Sequence, residues 1–143
     1  MTKAAAALAT LALAGCGGGD ELPRSWVGST PTYAAHVSWD RSGERLKGSA
    51  VGTGIGCDDS DPPQCSVQDE ERFDVRGTIA DRTIRLRFAL GTRVHMTTGT
   101  ISPSELILQD EEGGAPLRLR PGSRSDYEEA VAALDEGAVE GEP

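Results

Sequence analysis

The side chains of this 143-residue chain that could do chemistry are two histidines, three cysteines and a surplus of carboxylates, 23 Asp and Glu against 14 Lys and Arg. A catalytic histidine needs a carboxylate or metal partner on its own face of the fold. His36 is out of strand phase with Trp39, and neither His36 nor His95 shares a zinc-ligand spacing with Cys or Glu. Both are expected to be solvent-facing strand residues. No Gly-x-Ser-x-Gly turn is present to expose a serine nucleophile, and the serines stand in turn-like contexts. With so many acids, carboxylate pairs arise without meaning. Gly52-Thr53-Gly54-Ile55-Gly56 has the glycines of a phosphate loop but leads into a cysteine-bounded loop, not into a helix whose amides could bind an anion. A bend in a strand is expected there. The residues therefore predict neither an enzyme nor a cofactor.

The first cysteine has a different context. Lys3 precedes an apolar run from Ala4 to Ala14, broken by Thr10 and closed by Gly15-Cys16. One positive charge, a short apolar stretch and small residues before a cleavage point predict a secretory signal peptide at 1–15. A permanent membrane span needs roughly 20 apolar residues, about twice this run. Leu13-Ala14-Gly15-Cys16 resembles the lipobox of bacterial lipoproteins. That resemblance implies cleavage before Cys16, a thioether-linked diacylglycerol on its thiol and a further acyl group, such as palmitate, on the new terminus. Two or three chains anchor stably where one holds marginally. Residues 16–24 would then be the lipidated cysteine and a flexible tether. In the sorting rule of Gram-negative lipoproteins, Gly17 in place of Asp after the cysteine implies the outer membrane. The expected location is thus the bacterial cell envelope.

If lipid consumes Cys16, Cys57 and Cys65 remain as an even pair, and an exported chain meets oxidising conditions in which they would form a disulfide. The loop between them contains Asp58, Asp59 and Asp61. Clustered carboxylates are a weak calcium candidate, but calcium takes six or more oxygens and the loop lacks the twelve-residue pattern of a dedicated site. No metal centre is predicted.

The elements that position these groups read as strands. Turn residues recur every eight to twelve positions from Ser25 onward, with period-two alternation between them. Strands are expected near Trp26-Val27 and over 32–39, 45–53, 72–79, 83–88, 93–101, 105–109 and 116–120. Phe73, Val75, Gly77 and Ile79 share one face of their strand; Ile84, Leu86 and Phe88 share one face of the next. Ser125 and Glu128 form the pattern of a capping box, followed by Tyr127, Ala130, Val131 and Leu134 on one helical face and Gly137 as a stop. The expected fold is all-β: an antiparallel barrel or sandwich of seven to eight strands with a short C-terminal helix, spanning 25–136, and an acidic tail at 137–143.

The stretch from Trp26 to Leu134 resembles the small lipocalin-like barrels of bacterial lipoproteins. A tryptophan opens the first strand, hairpins follow, and Leu117-Arg118-Leu119-Arg120 leads to the helix. Small barrels can enclose a cup, and Trp26, Tyr33, Trp39, Phe73 and Phe88 are its candidate lining, with Ala34, Ala35 and Ala50 leaving room. The expected function is a lipid-anchored, non-catalytic binding or interaction module. Its partner would be a small apolar ligand or an envelope protein, with an unrecognised enzyme or a purely structural component as alternatives. A net charge of -9 argues against nucleic acid. Much of that charge lies in residues 125–143, which contain no base and suggest a solvated acidic end repelled by anionic lipid.

Overall fold

The computed structural model describes residues 22–140. The expected signal peptide at 1–15, lipidated Cys16 and most of the tether lie outside the described residues, as do the last residues of the tail. Nine strands follow in chain order: β1 (Ser25–Thr30), β2 (Tyr33–Ser42), β3 (Arg45–Cys57), β4 (Cys65–Val67), β5 (Glu71–Ala80), β6 (Thr83–Leu90), β7 (Arg93–Ile101), β8 (Leu106–Asp110) and β9 (Leu117–Pro121). One helix, α1 (Arg124–Glu140), ends the described chain. Every paired strand is antiparallel. The order β1-β2-β3-β5-β6-β7-β8-β9 returns to β1, so eight strands form a closed barrel and β4 adds a ninth to the end of β3. Of the two expected architectures, the barrel is the one adopted.

Closure sorts each strand's residues between two environments. Trp26, Val37, Trp39, Leu46, Val75, Ile79, Ile84, Leu86, Ile101, Leu106 and Leu119 fill the interior. Their alternates in β1, β2 and β3 do not all meet water, because α1 lies across that outer wall. Val27, Ala34 and Val51 are buried against Tyr127 and Leu134 of the helix, with Ile55, Val67, Ala130 and Val131 packed around them. The apolar helical face is the one expected from 3.6-residue spacing. The start differs: Ser123, not Ser125, is the cap. Its Oγ accepts the Asp126 N–H at 3.3 Å while Asp126 Oδ2 accepts the Ser123 N–H at 2.8 Å. Asp126 thus takes the reciprocal role expected of Glu128. The helix also continues through Gly137 to Glu140, because one glycine lowers helix propensity by only about 1 kcal/mol and does not by itself end a helix.

The glycines of β3 are not bulges. Pairing with β2 is uninterrupted from Arg45↔Ser42 to Gly54↔Tyr33. Gly48 instead lets two backbones approach: a Cβ there would lie 1.9 Å from the Ser38 carbonyl oxygen and 2.6 Å from Trp39 Cα. Because the obstacle is backbone, it cannot swing away. Pairing with β5 ends at Gly52, and beyond Gly54 the strand pairs with β4, placing Cys57 opposite Cys65, where the two form a disulfide.

One end of the barrel is sealed. Leu22 packs against the interior cluster, Trp26 Nε1 donates to the Pro23 carbonyl at 3.0 Å, and Trp39 N–H donates to the Arg24 carbonyl at 3.0 Å. The end of the expected tether is therefore fastened to the barrel. Gly48→Ala is expected to destabilise by about 3 kcal/mol or more, since overpacking against backbone forces strand displacement; urea unfolding of the two proteins measures it.

Candidate functional site

The opposite end is open. There the interior contains a cavity of about 340 Å³. Its base is apolar, made by Val37 and Ala35 of β2, Ala50 of β3, Phe73 of β5, Phe88 of β6, Leu108 of β8 and Leu117 of β9. All are inward-phase residues of their strands, and small ones at 35 and 50 face the large ones at 73 and 88. Phe73 and Phe88 meet edge to face with centroids 6.3 Å apart, which fixes both rings.

The rim is polar. Tyr33, Glu71, Arg93, His95, Asp110 and Ala115 surround the mouth. Arg93 Nη2 lies 3.1 Å from Glu71 Oε2, joining the starts of β7 and β5 across the end of β6. Both side chains are about half exposed, so this pair is worth under about 1 kcal/mol and can open at low cost. Tyr33 lies over Gly52, where a Cβ would come within 2.0 Å of the phenolic oxygen. Burial, then the charge of Glu71, raises the Tyr33 pKa, so the phenol stays protonated.

Between base and rim stands Thr97. Its Oγ1 is buried and has no hydrogen-bond partner. A hydroxyl removed from water without a partner costs about 1–3 kcal/mol, and a bound polar atom would recover that cost. His95 and Asp110 share the cavity with Thr97, but among the described residues no hydrogen bond links the three. They form a polar patch, not a proton relay.

Three of the five aromatics expected to line a cup do so: Tyr33, Phe73 and Phe88. Trp26 and Trp39 do not; they belong to the sealed end, where strand phase sends them inward but far along the barrel axis from the mouth. Ala34 is also displaced, to the outer wall beneath the helix. Neither histidine is the solvent-facing residue expected. His95 faces the cavity, in phase with Thr97 on β7. His36 is half-buried on the outer wall beneath α1, its ring centroid 6.2 Å from that of Tyr127.

The outer-wall network defines the His36 tautomer. Ser25 Oγ donates its one proton to the Gly122 carbonyl at 2.6 Å, so its contact with His36 Nε2 at 2.8 Å requires the imidazole to donate. Beside it, Tyr127 donates to Glu70 Oε1 at 3.2 Å and accepts from Thr53, while Glu70 Oε1 also receives Arg124 Nη2 at 3.1 Å. These contacts hold the helix on β3 and on the segment before β5. They reach no cavity, so their role is structural.

The acidic loop is likewise self-satisfied at its key residue. Asp58 Oδ1 accepts N–H groups from Ser60 at 3.0 Å and Gln64 at 2.9 Å, and the Gln64 bond leads the causes that lower its pKa. Among the described residues, no group of three or more His, Cys, Asp and Glu side chains could hold a metal ion, so Asp58, Asp59 and Asp61 do not form the calcium candidate.

Burial, then Arg124, lowers the His36 pKa. The unfolded chain therefore takes up this proton more readily than the folded one. Stability associated with His36 is complete above the ordinary histidine value and declines as pH falls through it toward the depressed folded value. Melting temperature should fall between about pH 7 and pH 5, and His36→Gln should flatten that part of the profile. Tyr127→Phe, which frees Thr53 and Glu70, should cost about 1–2 kcal/mol in denaturant unfolding.

The sequence matches no family model, and neither a curated protein nor a solved structure was found to match it.

Proposed function

We propose that this chain is a lipid-anchored, non-catalytic protein of the bacterial cell envelope whose barrel binds a small, largely apolar molecule carrying one polar group. The cavity of about 340 Å³ with its unpartnered Thr97 hydroxyl is the observation that carries the reading. Its size is at the lower end of the roughly 300–1,000 Å³ of small-molecule sites, and its apolar base with a few polar groups is their usual chemistry. Thr97 can donate or accept, so the ligand would present a carbonyl, ether or hydroxyl to it, with its apolar body among Ala50, Phe73 and Phe88. The Glu71–Arg93 pair would be the element that parts on entry. The anchor is supported by Leu13-Ala14-Gly15-Cys16 after a short apolar run.

Titration with the apolar fluorophore 1-N-phenylnaphthylamine should give a saturable rise in emission at one site. Ala50→Phe should abolish it with cooperative melting retained, because the added ring fills the cup. An unchanged titration in that variant would refute the site. Cys16→Ala should move the protein from the membrane fraction to the soluble one after a wash at about 0.5 M salt, and a variant that stays membrane-bound through that wash would refute the anchor.

A further inference from the structure

Strand register gathers the cations of this acidic chain onto one wall. Lys47 of β3, Arg76 of β5 and Arg87 of β6 stand directly opposite one another across three neighbouring strands. One row nearer the sealed end, Arg45 is opposite Thr78 and Thr78 is opposite Arg85. All five cations are exposed and line a shallow groove on the outer surface. Arg85 is paired with Glu111 at 3.0 Å, but Arg45, Lys47, Arg76 and Arg87 make no ion pair among the described residues. Asp40 lies directly opposite Lys47 and lines the same groove, and Asp74 shares a face of β5 with Arg76, but neither forms an ion pair with these cations. Adjacent strands are about 4.8 Å apart, and like charges opposite one another destabilise a sheet. Asp40 offsets part of the charge at Lys47, but Arg76 stands between Lys47 and Arg87, and a covering layer of anions would relieve that repulsion.

Its placement supplies the second observation. Arg41 near the end of β2 and Arg82 in the turn between β5 and β6 add two cations at the sealed end, beside Glu44 and Asp81 of the two turns nearest the wall. That is the end at which the chain enters, through Leu22, Pro23 and Arg24, after 21 preceding residues. Acids are densest at the open end, with Asp58, Asp59 and Asp61 in the disulfide loop, Asp69 to Glu71 before and at the start of β5, and Asp110 and Glu112 at the end of β8; Glu44, Asp81 and Glu105 stand in the turns of the sealed end, and Glu111 reaches the wall at Arg85. The acidic helix lies on β1, β2 and the part of β3 from Val51 onward, away from Arg45 and Lys47 at the other end of that strand.

We infer that the wall formed by Arg45, Lys47, Arg76, Arg85 and Arg87 docks on the anionic headgroups of a phospholipid surface, holding the sealed end down and the ligand mouth toward the aqueous phase. The orientation rests on the proposed N-terminal anchor; the attraction to anionic headgroups does not. The acidic open end would be repelled by the same surface, so one charge distribution both attracts and orients.

The exported chain with Cys16→Ala, which carries no acyl group, tests it in sedimentation with vesicles. It should bind phosphatidylcholine vesicles in which about a third of the lipid is phosphatidylglycerol, ignore phosphatidylcholine alone, and dissociate at about 0.5 M salt. Lys47→Gln/Arg76→Gln/Arg87→Gln should bind about a hundredfold more weakly, with a melting temperature no lower than the parent because repulsion is removed. Should the triple variant not fold, Lys47→Gln alone should bind about fivefold more weakly. Equal binding to neutral vesicles, a triple variant that binds unchanged, or capture by polyglutamate without vesicle binding would overturn the inference. Because the test uses no lipid anchor, its failure leaves the Cys16 reading standing, and loss of membrane attachment through Cys16 leaves this one standing.

Discussion

The short seam between β1 and β9 is the constraint on which the remaining structure depends. Only Trp26↔Pro121 and Val27↔Arg120 are paired across it, yet these pairs turn an open meander into a ring without free edges. So short a ladder needs support on both faces. Inside, Trp26 is fully buried and tied to the Pro23 carbonyl. Outside, the chain leaving β9 folds back over the seam: Gly122 N–H donates to the Ser25 carbonyl at 3.1 Å, Ser25 Oγ donates to the Gly122 carbonyl, and the helix then covers Val27. Gly28 permits the strands to close, since a Cβ there would come within 2.7 Å of the Arg118 carbonyl oxygen. Burying a large aromatic and a valine on opposite faces of one joint contributes several kcal/mol by area, about as much as a domain of this size has to spare.

Closure then divides the interior by side-chain volume. Trp26, Trp39, Ile79, Ile101 and Leu106 occupy the end where the chain enters, and little space remains there. Ala35 and Ala50 occupy inward positions toward the other end, and the cavity is the volume their missing side chains leave, while Tyr33 fills the space above Gly52. The disulfide, the β4 pairing and the helix all brace the wall of β1, β2 and β3 that flanks this space. A cup among rigid elements is preorganised, so a ligand entering it orders little that was not already ordered.

Much of this was visible in local pattern. Period two assigned Phe73, Val75, Ile79, Ile84, Leu86 and Phe88 to the interior and Arg85 and Arg87 to the surface, and helical spacing identified the buried face of α1. Alternation cannot say how far along a barrel axis an inward residue lies, so Trp26 and Trp39 could not be told apart from Tyr33 and Phe88. Nor does it show which outer face a helix will cover, and His36 reads as surface until α1 is docked. The three residues of β4 are too few to carry a period. Net charge concealed a polarity that only cross-strand register reveals, because Lys47, Arg76 and Arg87 are far apart in sequence.

If the open end of the barrel is a ligand cup and the sealed end is not, a bound probe must perturb only the former. Nuclear magnetic resonance mapping of methyl and amide shifts during titration with 1-N-phenylnaphthylamine tests it most directly. Shifts should concentrate at Ala35, Ala50, Thr97, Leu108 and Leu117, with Ile79, Ile84 and Leu106 unmoved. Shifts centred on the sealed end or beneath the helix, or none at saturating probe, would contradict it.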